Sequence, residues 1–455
     1  MKSKRSKTTF SIDKYNLSIF AGTLFISALC IFIYDFDNVF GKKKEPPLLY
    51  DENLQVNLLT DALKFPIGLD FLAENDILVI EKNTGQVKRI LDGEIMDPIL
   101  DVNVASESER GLLGIAILNS INHTTNIAGK QQFQGNNSNG NITVFLFYTE
   151  TENVDNGEIL GNRLYKYDFI DGQLVNPVML LDLPFLPGPS HNGGVLDLGP
   201  DNNLYLVIGD INRKADPEYL TLAQNIDDDG ILPDGRGGVL RITTDGNPVL
   251  SDGFSLGDSG ILDLYYGYGI RNSFGISFDP LTGFLWETEN GSNYGDEINL
   301  ILPGFNGGWK QVLGPSNEYE KFKSKKFDRK DLILFDDKGK YYDPVFTWAD
   351  TVAPTAITFI DSKIFDEDYK NDLLVGSVKQ GRIFHFNLNE TRTGLDLPDD
   401  LIDKIADVDE ELEPVILGKN FGTITDIEIN PYNGKIYVTD GNSKKGKIYV
   451  ISPSN

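Results

Sequence analysis

The 455-residue chain has a single cysteine, Cys30. That excludes an intrachain disulfide, a thiolate metal cluster and a cysteine nucleophile in the body of the protein. Histidine is nearly as scarce, with only His123, His191 and His385, so imidazole chemistry has three candidate positions. No strand–Gly-x-Gly-x-x-Gly–helix unit is present, which argues against a nicotinamide cofactor. No long amphipathic helix follows residue 60. Positive charge is also short: 41 Lys+Arg stand against 68 Asp+Glu, for a formal net charge of −27. Nucleic acid and anionic membrane surfaces are therefore poor partners for the body of the protein. Most of the acidity reads as a solvated surface, and a smaller part as loops able to hold divalent cations.

What is abundant points to strands and turns. The 45 Gly and 21 Pro suit many tight turns, and the 27 Phe and 19 Tyr suit strand interiors. One short phrase recurs six times. Its clearest copies are Gly194-Val195-Leu196-Asp197-Leu198-Gly199-Pro200 running into Leu204 to Asp210, and Gly275 to Pro280 running into Phe284 to Thr288. Weaker copies begin near Gly68, Gly114, Ala356 and Ile424. Each reads as an alternating strand, a turn and a second alternating strand, hence a hairpin. Successive copies lie roughly 45 to 80 residues apart, a spacing typical of propellers and solenoids. The expected fold is all-β, a six-bladed β-propeller over residues 55–455, in which residues just ahead of each repeat meet around one channel.

Leu17 to Tyr34 is an apolar or small run of 18 residues, long enough to span a hydrocarbon core. Lys2, Lys4, Arg5, Lys7 and Lys14 precede it, which favours an inside N-terminus and an outside body. A cleaved signal peptide shares this appearance, but no clear small-x-small site follows. The reading is a basic tail (1–16), a transmembrane anchor or signal segment (17–34), a linker (35–54) and the propeller, held outside the cytoplasm at a membrane; secretion is the alternative. Asn119 to Asn141 is polar and of low complexity, with Asn-x-Ser/Thr acceptors at Asn122, Asn136 and Asn141, and reads as an inserted loop. The charged stretch Asn317 to Lys340 reads as a second exposed insertion.

His123 falls in the low-complexity loop, and His385 alternates with apolar residues as a strand-face side chain would. His191 lies in the glycine-flanked turn Gly188-Pro189-Ser190-His191-Asn192-Gly193-Gly194, immediately ahead of a repeat. Arg271 and Asn272 occupy the matching place one blade later, and Glu109 and Arg110 one blade earlier. Propeller geometry thus gathers an imidazole, a guanidinium and a carboxylate at one channel mouth. A free imidazole titrates near pH ~6.5 and can act as a general base; a guanidinium with a neighbouring amide can clamp carboxylates or a carbonyl oxygen. A loop-structuring role for His191 remains open from pattern alone.

Ser190-His191-Asn192-Gly193-Gly194 with Gly199-Pro200-Asp201, Glu109-Arg110-Gly111-Leu112-Leu113-Gly114, and Arg271-Asn272 through Asp296-Glu297-Ile298-Asn299 to Gly307-Gly308-Trp309 resemble segments of the glucose/sorbosone dehydrogenase family, in the family's order. Ala353-Pro354 to Phe359 and Val375 to Arg382 continue the likeness, which covers roughly residues 55 to 453. The resemblance implies a pyrroloquinoline quinone (PQQ)- and calcium-dependent oxidation of an aldose to a lactone. In that scheme His191 is the general base. Arg271, Asn272 and Lys379 hold the cofactor. Gly291 and Ser292 offer carbonyls to calcium, with Asp296 and Glu297 as calcium or loop-structuring carboxylates. Glu109 and Ser190 fall near substrate. Where the family's last repeat opens Arg-x-Arg-Asp, this chain has Thr423-Ile424-Thr425-Asp426, so two cofactor-facing charges are missing. That departure keeps a second class open, a non-enzymatic extracellular ligand-binding propeller that has lost the cofactor. A calcium-dependent lactonase is a third class, for which no ring of ligands assembles. The electron acceptor is not specified.

Overall fold

The structure is a computed structural model that describes residues 45–119, 142–153, 157–186, 188–211, 233–257, 260–318 and 327–454. The described strands build an all-β propeller and fall into six sheets. The innermost strands are Pro66–Ala73, Leu112–Asn119, Leu196–Leu198, Ser273–Phe278, Pro354–Phe359 and Ile424–Ile429. Each touches the next in chain order, and the last returns to the first. Every recurring phrase is thus an inner strand with its antiparallel partner, as in Leu196↔Leu206 and Ile276↔Glu287.

Closure comes from the two ends of the described chain. Leu54–Leu63 pairs with Gly446–Pro453, with Leu54 opposite Pro453 and Leu63 opposite Gly446, so an early strand completes the last sheet. The expected linker is not free as far as it is described, because Leu48–Leu49 adds to the outer edge of the neighbouring sheet opposite Lys419 and Gly418. Among the described residues helices are 3₁₀ turns, the longest being Asp409–Val415. None is long and apolar enough to cross a membrane; Leu17 to Tyr34 lies outside the described residues, as do His123, Asn122, Asn136 and Asn141.

The core lies between neighbouring sheets. Phe147, Leu164, Leu206, Ile208 and Leu240 fill one interface, and Trp286, Trp348, Phe359, Phe384 and Phe386 fill another. Trp286 meets Phe359 edge-on at 6.1 Å. Truncating such a buried aromatic typically costs ~3–5 kcal/mol, so these contacts fix the spacing of sheets and therefore of the loops between them. The stretch expected as an exposed insertion is partly structural. Leu332 is buried, Ile333 accepts the Tyr268 hydroxyl at 2.5 Å, and Lys340–Tyr341 adds a parallel edge strand. Its apolar run Leu332 to Phe335 packs inward, with Phe335 edge-on to Tyr268 at 5.1 Å.

Candidate active site

Each inner strand is antiparallel to its partner, so loops that precede an inner strand share one face with loops that follow its partner strand. Glu109, Ser190, His191, Arg271, Asn272 and Thr423 occupy the first kind of loop; Gly291, Ser292 and Lys379 occupy the second.

His191 is held in left-handed backbone conformation, with φ 62°. The glycines after it are required sterically: a Cβ on Gly194 would sit 2.5 Å from the Leu113 Cβ. The His191 N–H donates to Glu109 Oε2 at 2.5 Å, and the same oxygen accepts from Asn272 Nδ2 at 3.1 Å. Glu109 therefore ties three successive inner-strand loops together. The imidazole Nδ1 lies 2.6 Å from Asp210 Oδ1. Burial works to raise the Asp210 carboxyl, but His191, Arg271 and the Trp309 indole together hold it below the usual carboxylate range. An ionised Asp210 can only accept, so Nδ1 carries the proton and Nε2 is left as the basic nitrogen. Trp309 Nε1 donates to Asp210 Oδ2 at 2.7 Å, and the Asp210 N–H donates to Arg271 O at 2.9 Å.

The Arg271 guanidinium lies over the Trp309 ring at 5.5 Å and donates to Asn290 O at 2.5 Å. The backbone N–H groups of Arg271 and Asn272 both donate to Glu289 Oε1 at 2.8 Å. Asn272 Oδ1 is buried with no partner, so a bound N–H or O–H donor would satisfy it. Beside Glu109, burial presses the Lys82 amine down to about 7 against the pull of the Glu109 charge. Its Nζ donates to Ser108 O at 2.9 Å.

Asp210, Trp309 and Lys82 were not singled out by sequence reasoning. Asp210 carried a readable signal, since it ends the recurring phrase Leu204 to Asp210, two residues beyond the strand Leu204–Ile208.

Several expected ligands are committed elsewhere. The Ser190 hydroxyl is paired with Ser108 Oγ at 2.9 Å. Thr425 Oγ1 donates to Pro66 O at 2.9 Å, and the Thr423 N–H donates to Asp440 Oδ1 at 2.9 Å; neither brings a charge to the mouth. Asp296 is a loop clamp: Oδ1 accepts from Gly291 N at 2.8 Å and Oδ2 from Val352 N and Ala353 N, each at 2.7 Å. Glu297 accepts from Gly314 N at 2.5 Å and from Asn299 Nδ2 at 3.1 Å. No group of three or more His, Cys, Asp or Glu among the described residues has metal-holding geometry. Ser292 is exposed, and Lys379 Nζ donates to Thr351 O at 2.6 Å. Below the mouth the channel holds a cavity of about 50 Å³ lined by Gly68, Gly114, Gly193, Phe274, Thr425 and Glu428. A water takes up ~30 Å³ of liquid, so this space suits one or two waters and a larger substrate must sit at the mouth.

These features define a class: an all-β propeller whose channel mouth holds a carboxylate-oriented imidazole beside a stacked guanidinium. The chain belongs to the glucose/sorbosone dehydrogenase family, whose model matches residues 63–450. It is 28% identical over 397 residues to quinoprotein glucose dehydrogenase B of Acinetobacter calcoaceticus, covering 75% of this chain and 78% of that one. It is 24% identical over 408 residues to the aldose sugar dehydrogenase YliI of Escherichia coli K12, covering 88% and 94%. The fold matches the PQQ-bound form of aldose sugar dehydrogenase from Streptomyces coelicolor with a TM-score of 0.59 at 21% identity, over 90% of this chain and all of that one.

Proposed function

We propose that this chain is a PQQ-dependent oxidoreductase, anchored by residues 17–34 with its propeller outside the cytoplasm, that oxidises an aldose or similar alcohol to the lactone. The six sheets are read as six blades. The observation that carries the proposal is the His191–Asp210 pair at the channel mouth, 2.6 Å apart. His191 Nε2 takes the proton from the hydroxyl on the carbon to be oxidised. Asp210 holds the ring in the tautomer that leaves Nε2 basic and stabilises the imidazolium that forms. Glu109 and Asn272 keep the His191 loop in register with its neighbours, so the base stays fixed relative to whatever the Arg271 loop binds.

The residues present fit PQQ in part. Arg271, Asn272 and Lys379 would hold its oxygens and carboxylates, with Asn272 Oδ1 open to a donor, while Thr423 and Thr425 supply no charge. Gly291 and Ser292 carbonyls are hard oxygen donors suited to calcium. When bound, PQQ with calcium supplies the hydride acceptor and a Lewis acid at its quinone carbonyl.

The test is titration of the full chain in detergent with PQQ and calcium, followed by cofactor absorbance on adding aldoses. Sugar-dependent reduction that disappears in His191→Ala while PQQ still binds is the expected result. Absence of PQQ binding at micromolar cofactor would favour the second reading, a non-enzymatic ligand-binding propeller. The commitment of the Thr425 hydroxyl to Pro66 supports that alternative.

A further inference from the structure

The chain joins the propeller on the face that carries the site. Leu48–Leu49 runs antiparallel to Ile416–Lys419 with Leu48 opposite Lys419, so the chain comes in at the site face and descends along the sheet edge. Pro46 O accepts from Asn420 Nδ2 at 3.4 Å, and the Asn420 N–H donates to Gln380 O at 3.3 Å. Residue 46 is therefore one contact removed from the loop that bears Lys379.

This rim differs from the rest of a chain carrying −27. Lys64, Lys444 and Lys445 are exposed there, in the turns that open onto the site face. Lys419 lies over the Tyr50 ring at 5.4 Å. Lys445 is paired with Asp61 at 2.5 Å and Lys447 is 3.8 Å from Asp440; Lys64, Lys419 and Lys444 form no ion pair among the described residues. Leu48 and Leu58 are 46% and 53% exposed. Leu58 lines a groove of about 440 Å³ with Pro46, Pro47, Lys447 and Tyr449, where Glu45 and Asp440 are the acidic members. In sequence, Lys42, Lys43 and Lys44 come immediately before.

We propose that this rim rests on an anionic lipid surface, so that the site face of the propeller is turned toward the membrane. The inference builds on the anchor reading. Ten residues separate Tyr34 from Glu45, and a chain of that length reaches at most roughly 36 Å. A tether that short keeps the rim where the chain joins near the headgroups. Net negative charge opposes docking of the body at large, but the opposition is local. Screening limits each charge to about 8–10 Å, so the lysines act locally on anionic lipid while the acidic remainder favours facing away. The lysine stems and Leu48 add apolar contact at the interface.

The test uses the full chain with Cys30→Ser, reconstituted into phosphatidylglycerol vesicles, carrying one donor dye at Ser443→Cys or at Lys435→Cys. These positions lie beyond the two ends of the strand Ile436–Asp440, and so on opposite faces of the propeller, a separation of roughly 16 Å. Energy transfer to a headgroup acceptor should be clearly greater from position 443. Replacing Lys64, Lys444 and Lys445 with glutamine, or moving to phosphatidylcholine, should abolish that difference, while sugar oxidation in detergent stays unchanged. Equal transfer from both positions, greater transfer from 435, or a difference indifferent to the lysines would overturn the inference and leave the anchor standing. Recovery of the chain without vesicles would overturn the anchor and this inference together.

Discussion

Substituting Asp210 by Asn is the sharpest probe of the site. Both carboxylate oxygens are engaged, Oδ1 with His191 Nδ1 at 2.6 Å and Oδ2 with Trp309 Nε1 at 2.7 Å. An asparagine has one acceptor oxygen, so it can keep the indole contact or the imidazole contact, not both in the present arrangement. If it keeps the indole, its NH2 faces the ring and favours the tautomer with the proton on Nε2, which cannot serve as a base. A lost charge-assisted hydrogen bond is worth ~1.5–3 kcal/mol, and ~1.36 kcal/mol is tenfold in rate. Asp210→Asn should therefore lower kcat/KM for an aldose by about 10- to 150-fold. Removing a general base costs typically ~10²–10⁴-fold, the loss expected for His191→Ala. The assay is a double-mutant cycle on steady-state cofactor reduction, with urea unfolding as the control for folding. If Asp210 acts through the imidazole, the double variant loses no more than His191→Ala alone. Full additivity of the two losses would refute the reasoning, because Asp210 would then be acting on something other than His191.

Asp296→Asn should destabilise the fold. One of its two carboxylate oxygens, and with it either the Gly291 or the Val352/Ala353 N–H set, would face an amide NH2. The cost is ~1–3 kcal/mol per orphaned donor, read as a lower urea midpoint. Asp70, Asp197 and Asp426, from three inner strands, are each pushed up by burial to about 7. The folded state then binds more protons than the unfolded one between pH ~4 and ~7. Their contribution to stability falls as pH rises through that window, so the urea midpoint should drop from pH 5 to 8, and Asp426→Asn should flatten the drop. Thr423→Arg, at a half-buried position on the site face, should tighten PQQ binding by at least tenfold in a fluorescence titration. Thr425→Arg would force a guanidinium into the buried space where Thr425 meets Pro66, and should instead give little soluble protein.

The inner strands were legible in part because a glycine opens three of the six at a place where the neighbouring sheet leaves no room for a side chain. A Cβ on Gly114 would lie 2.1 Å from Gly194 O, and one on Gly275 would lie 2.2 Å from Thr355 O. Close approach at the channel forces the repeat into the sequence, and the meeting of Glu109, His191, Arg271 and Asn272 follows from it. The outer edges leave no such trace. Phe305–Asn306, Lys340–Tyr341 and Ile405–Ala406 join sheets as parallel additions of two residues each, too short for alternation to declare them. The roles of Asp296 and Glu297 were hidden for another reason. A carboxylate that accepts backbone N–H groups and one that binds a cation use the same lone pairs, and only coordinates tell which partner is there.

Two kinds of perturbed buried carboxylate occur in this propeller, and the contrast between them bears on the reactive end of the channel. Glu287, Glu289 and Glu297 are all pushed up by burial first, Glu287 to about 8 and Glu297 to about 7; the Glu297 charge adds to the rise of Glu287 and Glu289, while Asp296 and Asp343 add to that of Glu297. Asp70, Asp197, Asp426 and Glu428 are raised in the same way deeper in the ring. Neither group has a cation beside it strong enough to offset desolvation, so protons are what keep these carboxylates tolerable indoors. Asp210 alone of these buried acids is held down, because an imidazole, a guanidinium and an indole N–H converge on it. A group kept ionised in the dry interior is arranged at a cost to the fold, and it is useful only if a positive charge appears next to it during turnover. His191 is the neighbour on which that charge appears when a hydroxyl proton is taken, and environments that drive neighbouring acids apart in this way mark acid–base sites. The same logic assigns the raised carboxylates to structure: losing their protons would destabilise the ring.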